Sequence, residues 1–522
     1  MFFTFLLVTS GLAGAQHATT RVSVDSAGNQ GNDESQLWNG HAISADGRYI
    51  VFDSYATNLV PGDTNGVPDI FVNDRLTGET TRVSVSSSGS EQDRSLGDAA
   101  ISADGRYVAF DSLATNLVPG DTNGLADVFV HDRLTGETTR VSVNSAGTEG
   151  NDDSVGPAIS ADGRYVAFDS YATNLVPGDT NGAEDVFVHD LWTGVTTRVS
   201  VDSAGNEAND ESGSWYAPWL SPEGRYVAFE SRATNLVPGD RNHTVDIFLH
   251  DRVTGQTTLE SVSSSGEEGD WPSEFPSLSA DVRYVAFMSR STNLVPGDTN
   301  QAQDVFLHDR LTAQTTRVSV SSSGGQGNYD SWNPSISADG RYVAFHSYAT
   351  NLVPGDSNMA TDVFLHDRQT GETTRVSLDP DGAPGNNSSF QPSISADGRC
   401  VAFESAATNL VLGDTNATAD VFVRGPELTL EADPAEATPG QTLTLTEYGG
   451  VPGNRSSLWA VAVNNTPTFS LVAIGSFGGD GNFVVSGVVP PSLSGNTITF
   501  RGYAIGHTGF VAATNDAPVA FR

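Results

Sequence analysis

The phrase Ser-Ala-Asp-Gly-Arg-Tyr-Val-Ala-Phe, with small variations, returns seven times along the chain, its acidic residue falling at Asp46, Asp104, Asp162, Glu223, Asp281, Asp339 and Asp397. The steps are 58, 58, 61, 58, 58 and 58 residues, so repetition covers everything between Thr19 and Arg424. A unit of this length cannot bury a core alone and must stack against its neighbours. The three extra residues fall around Ser212 to Ala217 and leave the rest of that unit in register.

Each unit holds four short segments of strand character bounded by turn residues. In the second unit they are residues 99–102, 106–112, 127–131 and 138–143, and in the last of these Arg140 and Ser142 alternate with Val141 and Val143. Asp104-Gly105 reads as a tight hairpin between the first two, and Leu134-Thr135-Gly136-Glu137 joins the last two. Four antiparallel strands per repeat is the plan of a propeller blade, so the expectation is an all-β, seven-bladed β-propeller over residues 19–425. The chain ends fit this plan. Residues 20–24 (Thr-Arg-Val-Ser-Val) make a lone outer strand, and the seventh unit stops after 420–423 without one. Joining the two completes the last blade and removes open sheet edges.

Ser-x-Asp-Gly-Arg-Tyr-Val-Ala-Phe followed by Asp-Val-Phe-Val-His-Asp-x-x-Thr-Gly-x-Thr-Thr-Arg-Val-Ser resembles the WD-like propeller repeat of the TolB type. The resemblance implies a propeller in the exported compartment, often a platform for protein binding. Related repeats also occur beside peptidase domains and in polysaccharide lyases, so no single function follows. This chain departs from the pattern by inserting Ala-Thr-Asn-Leu-Val-Pro-Gly-Asp-Thr-Asn-Gly between the second and third strands.

Charge narrows the partners. The sequence has no lysine, so all 26 cationic side chains are Arg, against 64 acidic ones, for a net charge of −38. Nucleic acid is excluded as a partner, because phosphate contacts need a basic surface. Residues 1–15 form an apolar stretch ending Ala-Gly-Ala before Gln16, although without the usual basic residue near Met1. That is a signal-peptide pattern too short for the ~20 residues of a membrane span. The expected location is secreted, periplasmic or cell-surface, with no span left after cleavage. Cys400, the single cysteine, stands where most repeats have Tyr, and is expected to be a packed thiol.

Blade strands alternate direction, so the two short hairpins share one face. The inserted loop and the blade-to-blade connection share the other. Every inserted loop carries Asp-x-Asn-x-x-x-Asp: Asp63, Asn65, Asp69; Asp121, Asn123, Asp127; Asp179, Asn181, Asp185; Asp240, Asn242, Asp246; Asp298, Asn300, Asp304; Asp356, Asn358, Asp362; and Asp414, Asn416, Asp420. Alternating oxygens in a tight loop suit a hard cation such as Ca2+, held with the weak affinity of extracellular modules, ~10⁻⁴–10⁻³ M. The spacing resembles the Asp-rich calcium loops of thrombospondin-type repeats and dockerins, shortened by two residues, and lacks the distal Glu of an EF-hand. The competing reading is a metal-free turn in which Asp and Asn cap their own backbone.

The connections on that face carry aromatics that change from blade to blade: Trp38 in the first, Trp215 and Trp219 before the fourth, Trp271 before the fifth and Trp332 before the sixth. Trp38, Trp215, Trp271 and Trp332 are candidate ligand-binding residues, stacking on sugars or anchoring a peptide; alternatively they plug seams between blades. No catalytic residue is assigned. His131, His189, His250, His308 and His366 repeat beside an Asp and read as hairpin architecture. The unrepeated His41, His243 and His346 are scattered candidates for a lyase-type metal site. Residues 427–522 leave the repeat and read as about seven short strands, a β-sandwich-like domain.

The expectation is an exported, non-enzymatic scaffold that binds a protein or polysaccharide on its acidic long-loop face. The alternatives are a lyase-like, polysaccharide-active propeller enzyme and a structural envelope or matrix component.

Overall fold

The computed structural model describes residues 18–38, 40–213 and 217–426, together with the backbone of eight strands between Leu430 and Phe521. The proposed signal segment and Trp215 lie outside the described residues.

Seven four-stranded antiparallel sheets follow one another, each built from consecutive strands except the last. The second blade, Ala99–Ile101, Tyr107–Ser112, Asp127–Asp132 and Glu137–Arg140, stands for the others. Its fourth strand ends earlier than the alternation suggests, because Val141 and Ser142 both turn inward, each 0% exposed. Ser142 donates to the buried Asp127 at 2.5 Å instead of facing water.

The last blade is completed from both ends of the repeat region. Ala18–Arg21 pairs antiparallel with Asp420–Gly425, placing Ala18 opposite Gly425 and Arg21 opposite Phe422. The ladder lies slightly ahead of the expected 20–24. Ser23 ends it by donating to Asp420 at 2.8 Å, and Val22 N–H continues it to Val421 O at 2.8 Å.

First strands line a central channel with Ile101, Ile159, Leu220, Leu278, Ile336 and Ile394, joined in the first blade by Ile43, which bridges to Ile50. Around it runs a chain of inter-blade backbone bonds. Ala45 donates to Ala103, Ala103 to Ala161, Ala161 to Pro222, Ala280 to Ala338, Ala338 to Ala396, and Ala396 back to Ala45, at 2.9–3.2 Å. The missing link is at Pro222, which has no N–H to give.

Within every blade two Phe rings from the second and third strands stack at 5.8–6.0 Å, from Phe52–Phe71 to Phe403–Phe422. Burying each such ring stabilises by ~1.5–3 kcal/mol. Between blades, Tyr49 lies so close under Gly105 that a Cβ there would fall 2.1 Å from the ring. Arg48 and Arg133 cover the two faces of that ring, each 4.7 Å from its centroid. At the closing seam Cys400 takes the tyrosine's place as a packed thiol, receiving Arg75 Nη1 at 3.3 Å where Gly425 leaves the sheet.

Beyond Pro426 the described strands form two sheets. One is three-stranded: Leu430–Asp433, Thr442–Glu447 and Phe483–Val488. The other is five-stranded, ordered Glu436–Ala437, Val511–Phe521, Thr497–Ile505, Arg455–Val463 and Thr466–Ser476.

Candidate functional site

The two faces differ in kind. On the short-hairpin face the first six blades repeat an Arg–Asp pair, and the second to sixth add a His–Thr contact. Arg106 grips Asp132 through Nε at 2.9 Å and Nη2 at 2.6 Å, while His131 Nδ1 meets Thr138 Oγ1 at 2.9 Å. Hydrogen bonds from Arg106 and the Leu134 N–H hold Asp132 down to about 2 despite its burial, and burial lowers His131. The His-Asp pairs are therefore hairpin architecture, as their repetition suggests.

On the long-loop face, the Asp-Asn-Asp loops converge on an arginine. Asp69 Oδ2 accepts from Arg82 at 2.9 Å and from Asn65 at 3.0 Å, while its Oδ1 accepts from Ser84 at 2.6 Å. The same Arg82 nitrogen lies 3.5 Å from Asp63 and 2.7 Å from Glu91. Arg140, Arg198, Arg317 and Arg375 repeat the contact to the two loop aspartates in the second, third, fifth and sixth blades. In the seventh it comes from the closing strand, with Arg21 3.6 Å from Asp414 and 3.4 Å from Asp420. The loop asparagine also caps its own turn, Asn65 Oδ1 accepting from Val67 N–H at 3.2 Å. Six of the seven loops thus have an internal cation between their carboxylates. The fourth does not: Leu259 stands in the arginine's place. Asp240, Asp246 and Glu268 there bring carboxylate oxygens within 4.8 Å of one another, an acidic cluster of a kind that can hold a metal ion. Burial pushes Asp246 up to about 7.

A second feature gathers at the channel mouth, where first strands begin. In the third, fifth, sixth and seventh blades a bulge puts Gly156, Phe275, Asn333 or Gln391 at φ 50–62° ahead of a proline. For Phe275, Asn333 and Gln391 this left-handed backbone costs of order 1–3 kcal/mol and re-aims the side chain. Asn333 Nδ2 donates to Gln391 Oε1. From the opposite side, His41 and Trp219 meet with ring centroids 4.1 Å apart, closing the mouth together with Phe275 and the neighbouring prolines. Burial lowers His41 to about 4, so this imidazole is neutral.

Behind the mouth the second strands carry polar groups at one repeated position: the buried Asp53, Asp111, Asp169, Glu230 and His346 and the half-buried Glu404, with Met288 in the fifth blade. Three of the carboxylates reach into the next blade. Asp111 accepts from Gly156 N–H at 3.1 Å, Glu230 from Phe275 N–H at 2.7 Å and Glu404 from Leu37 N–H at 3.0 Å. Burial pushes Glu230 up to about 8 and Glu404 up to about 7, and takes His346 down to about 3.

The sequence-picked aromatics divide. Trp271 is 54% exposed and Trp38 45%, the latter also donating a hydrogen bond to Asp53. Trp332 is half-buried in a seam, 5.4 Å from His346 and 5.9 Å from Tyr348. The three unrepeated histidines do not converge: His41 is at the mouth, His346 in the Trp332 seam and His243 in the fourth inserted loop. Spacing alone missed the arginine between the carboxylates. Its signal was the Arg of each Thr-Thr-Arg and its loss at Thr258-Leu259.

A scan against protein-family models finds no match, and a search of the curated proteins finds none. Among solved structures, the chain is similar to a putative TolB from Agrobacterium tumefaciens, at 14% identity over 70% of this chain and 98% of that one, with a TM-score of 0.34. It is also similar to the WD40 repeats of RRP9, at 10% identity over 75% and 97%, with a TM-score of 0.38. A third is the periplasmic gluconolactonase of Pseudomonas aeruginosa, at 14% identity over 81% and 95%, with a TM-score of 0.32. The seven-bladed ring itself rests on the strand pairing, and the chemistry of the site rests on this chain's own residues.

Proposed function

We propose that the protein is an exported, non-enzymatic scaffold that binds its partner on the long-loop face, across the rim of the channel mouth. The observation that carries this reading is where the exposed aromatics lie. Among the described residues six of the seven exposed Trp and Tyr side chains, Trp38, Tyr55, Tyr171, Trp271, Tyr329 and Tyr348 at 41–58% exposure, belong to the segments of that face, and Trp192 belongs to the other. Tyr55, Tyr171 and Tyr348 recur at one position in three blades and Trp271 and Tyr329 at another in two, so the repeated scaffold presents rings in some blades only and has a pattern of its own. Desolvated aromatic anchors commonly contribute ~2 kcal/mol or more each to binding. The net charge of −38 favours a neutral or basic partner, a polysaccharide or a protein. In this reading residues 1–15 direct export, and residues 427–522 form a separate β-sandwich that serves attachment or a second contact.

A polysaccharide-active enzyme is the second reading, favoured by the convergence of the unrepeated His41, Asn333 and Gln391 at the mouth. One experiment separates the two. The full chain is used as bait against material from the exterior of the source cell, beside a Trp38→Ala, Trp271→Ala variant, and bound polysaccharide is assayed for chain cleavage. Capture that the variant loses, without cleavage, supports the scaffold. Cleavage abolished by His41→Ala replaces it with the enzyme.

A further inference from the structure

We infer that the fourth blade carries a single calcium site formed by Asp240, Asp246 and Glu268, and that the other inserted loops do not bind metal because an arginine occupies the equivalent place. The first three blades provide the internal comparison, since they hold the same Asp, Asp and Glu. There the three carboxylates surround one guanidinium nitrogen: at 3.5, 2.9 and 2.7 Å in the first blade, 3.5, 3.0 and 2.9 Å in the second, and 3.6, 2.9 and 2.9 Å in the third. The pocket is therefore one that the fold builds around positive charge.

In the fourth blade the fold keeps the pocket and removes the charge. Leu259 instead packs against the apolar core of this part of the ring. Among the described residues no ion pair reaches Asp240, Asp246 or Glu268. Asp246 is 0% exposed, with Asn242 donating to its Oδ2 at 2.7 Å and Ser261 to its Oδ1 at 2.6 Å. Glu268 Oε2 is held in place by the backbone N–H groups of Arg241 at 3.0 Å and Asn242 at 3.3 Å. Asp240 Oδ1 is sealed from solvent and accepts no hydrogen bond. The equivalent oxygens of Asp121, Asp179, Asp298 and Asp356 also accept no hydrogen bond but lie 2.9–3.6 Å from an arginine nitrogen. Asp240 has the same sealed oxygen without the arginine, which points to an occupant that supplies the positive charge.

The donor set decides the kind of ion. Three carboxylates and no thiolate make a hard oxygen site, and the only imidazole near it belongs to His243, on the inserted loop. Three carboxylates suit calcium, which takes many oxygens directly at about 2.3–2.6 Å in loose geometry, better than magnesium, which keeps most of its waters in a strict octahedron. The titratable side chains at the pocket are these three carboxylates and the neighbouring His243, while Arg241 is exposed.

The test is calorimetric titration of calcium chloride into the chelator-stripped full chain, with thermal unfolding read in parallel. The expected result is one equivalent per chain at ~10⁻⁴–10⁻³ M and a raised melting temperature. Leu259→Arg should abolish the heat while leaving the unliganded melting temperature equal or higher, because it restores the arrangement of the other blades. Glu268→Gln should weaken binding at least tenfold, and decides the matter if the Leu259 variant does not fold. No binding at ~10 mM calcium, a stoichiometry near seven, or binding that survives Glu268→Gln unchanged would each overturn the inference. The titration uses the isolated chain, so its outcome is independent of whether the aromatic rim binds a partner.

Discussion

Arg140→Leu gives the second blade the arrangement of the fourth. The guanidinium being removed is 10% exposed and lies 3.5 Å from Asp121, 3.0 Å from Asp127 and 2.9 Å from Glu149. Deleting one partner of a buried ion pair costs ~3–5 kcal/mol, because the charges left behind stay in the interior. Those charges can be relieved by protons. Asp121 is already pushed up to about 6, first by burial and then by Asp127, with Arg140 opposing the rise. Without the arginine it rises further. A carboxyl whose folded pKa exceeds its unfolded value loses stability as pH climbs toward the folded value. The gap between variant and wild type therefore opens above about pH 6, by up to ~1.4 kcal/mol for each unit of added shift. Urea unfolding followed by tryptophan fluorescence at about pH 5 and about pH 8 reads this directly as a difference in midpoints at unchanged slope. A loss below ~1 kcal/mol at the higher pH, the level of an exposed pair, would refute the reasoning. So would a loss that is the same at both pH values. Calcium should recover part of the loss in this variant and none in the wild-type second blade.

Gly105→Ala puts a Cβ 2.1 Å from the Tyr49 ring at φ 72°, whereas Gly66→Ala meets open space at φ 70°. Both carry the left-handed penalty of ~1–2 kcal/mol, but only the first adds ~1–3 kcal/mol of overpacking; chemical denaturation of the pair should separate them by that amount. Glu230→Gln keeps an acceptor for Phe275 N–H and removes a carboxyl that burial holds at about 8. Since that group binds a proton in the folded state that the unfolded chain has released above ~4.3, wild-type stability falls as pH rises towards 8. The variant should lose that slope, ~1.4 kcal/mol per pH unit, in unfolding midpoints taken across the window. Deleting residues 18–24 removes the outer strand of the seventh blade and exposes the edge of Asp420–Gly425; size-exclusion chromatography should show larger species than the intact chain gives.

Much of the fold is legible in the repeat. The step, the turn pairs Asp-Gly and Thr-Gly, and the complementary ends lead to seven blades and a closing strand, because each is a local signal repeated often enough to be unambiguous. The fourth strand is a particular exception. Alternation puts Ser142 outward, but its hydroxyl is drawn in by Asp127, a contact between residues 15 apart that spacing does not reveal. The site is less legible for the same reason. Asp-x-Asn-x-x-x-Asp looks alike in all seven loops, and only the third dimension places Arg82 or Arg140 between the carboxylates and leaves Asp240 without one. The contact of His41 with Trp219 joins the first blade to the fourth across the channel, and nothing in the linear spacing of either residue points to the other. By contrast Trp271 and Trp38 were visible from sequence because they break a repeat that is otherwise uniform.

Sidedness is the central claim, and one comparison tests it. Trp192 is 70% exposed on the short-hairpin face, stacked 4.6 Å from Arg164, while Trp271 is 54% exposed on the long-loop face. The affinity of the captured partner is measured for the wild type, Trp271→Ala and Trp192→Ala. The account predicts at least a tenfold loss, ~1.4 kcal/mol or more, for Trp271→Ala and none for Trp192→Ala. The reverse order, or equal affinity for all three proteins, would contradict it.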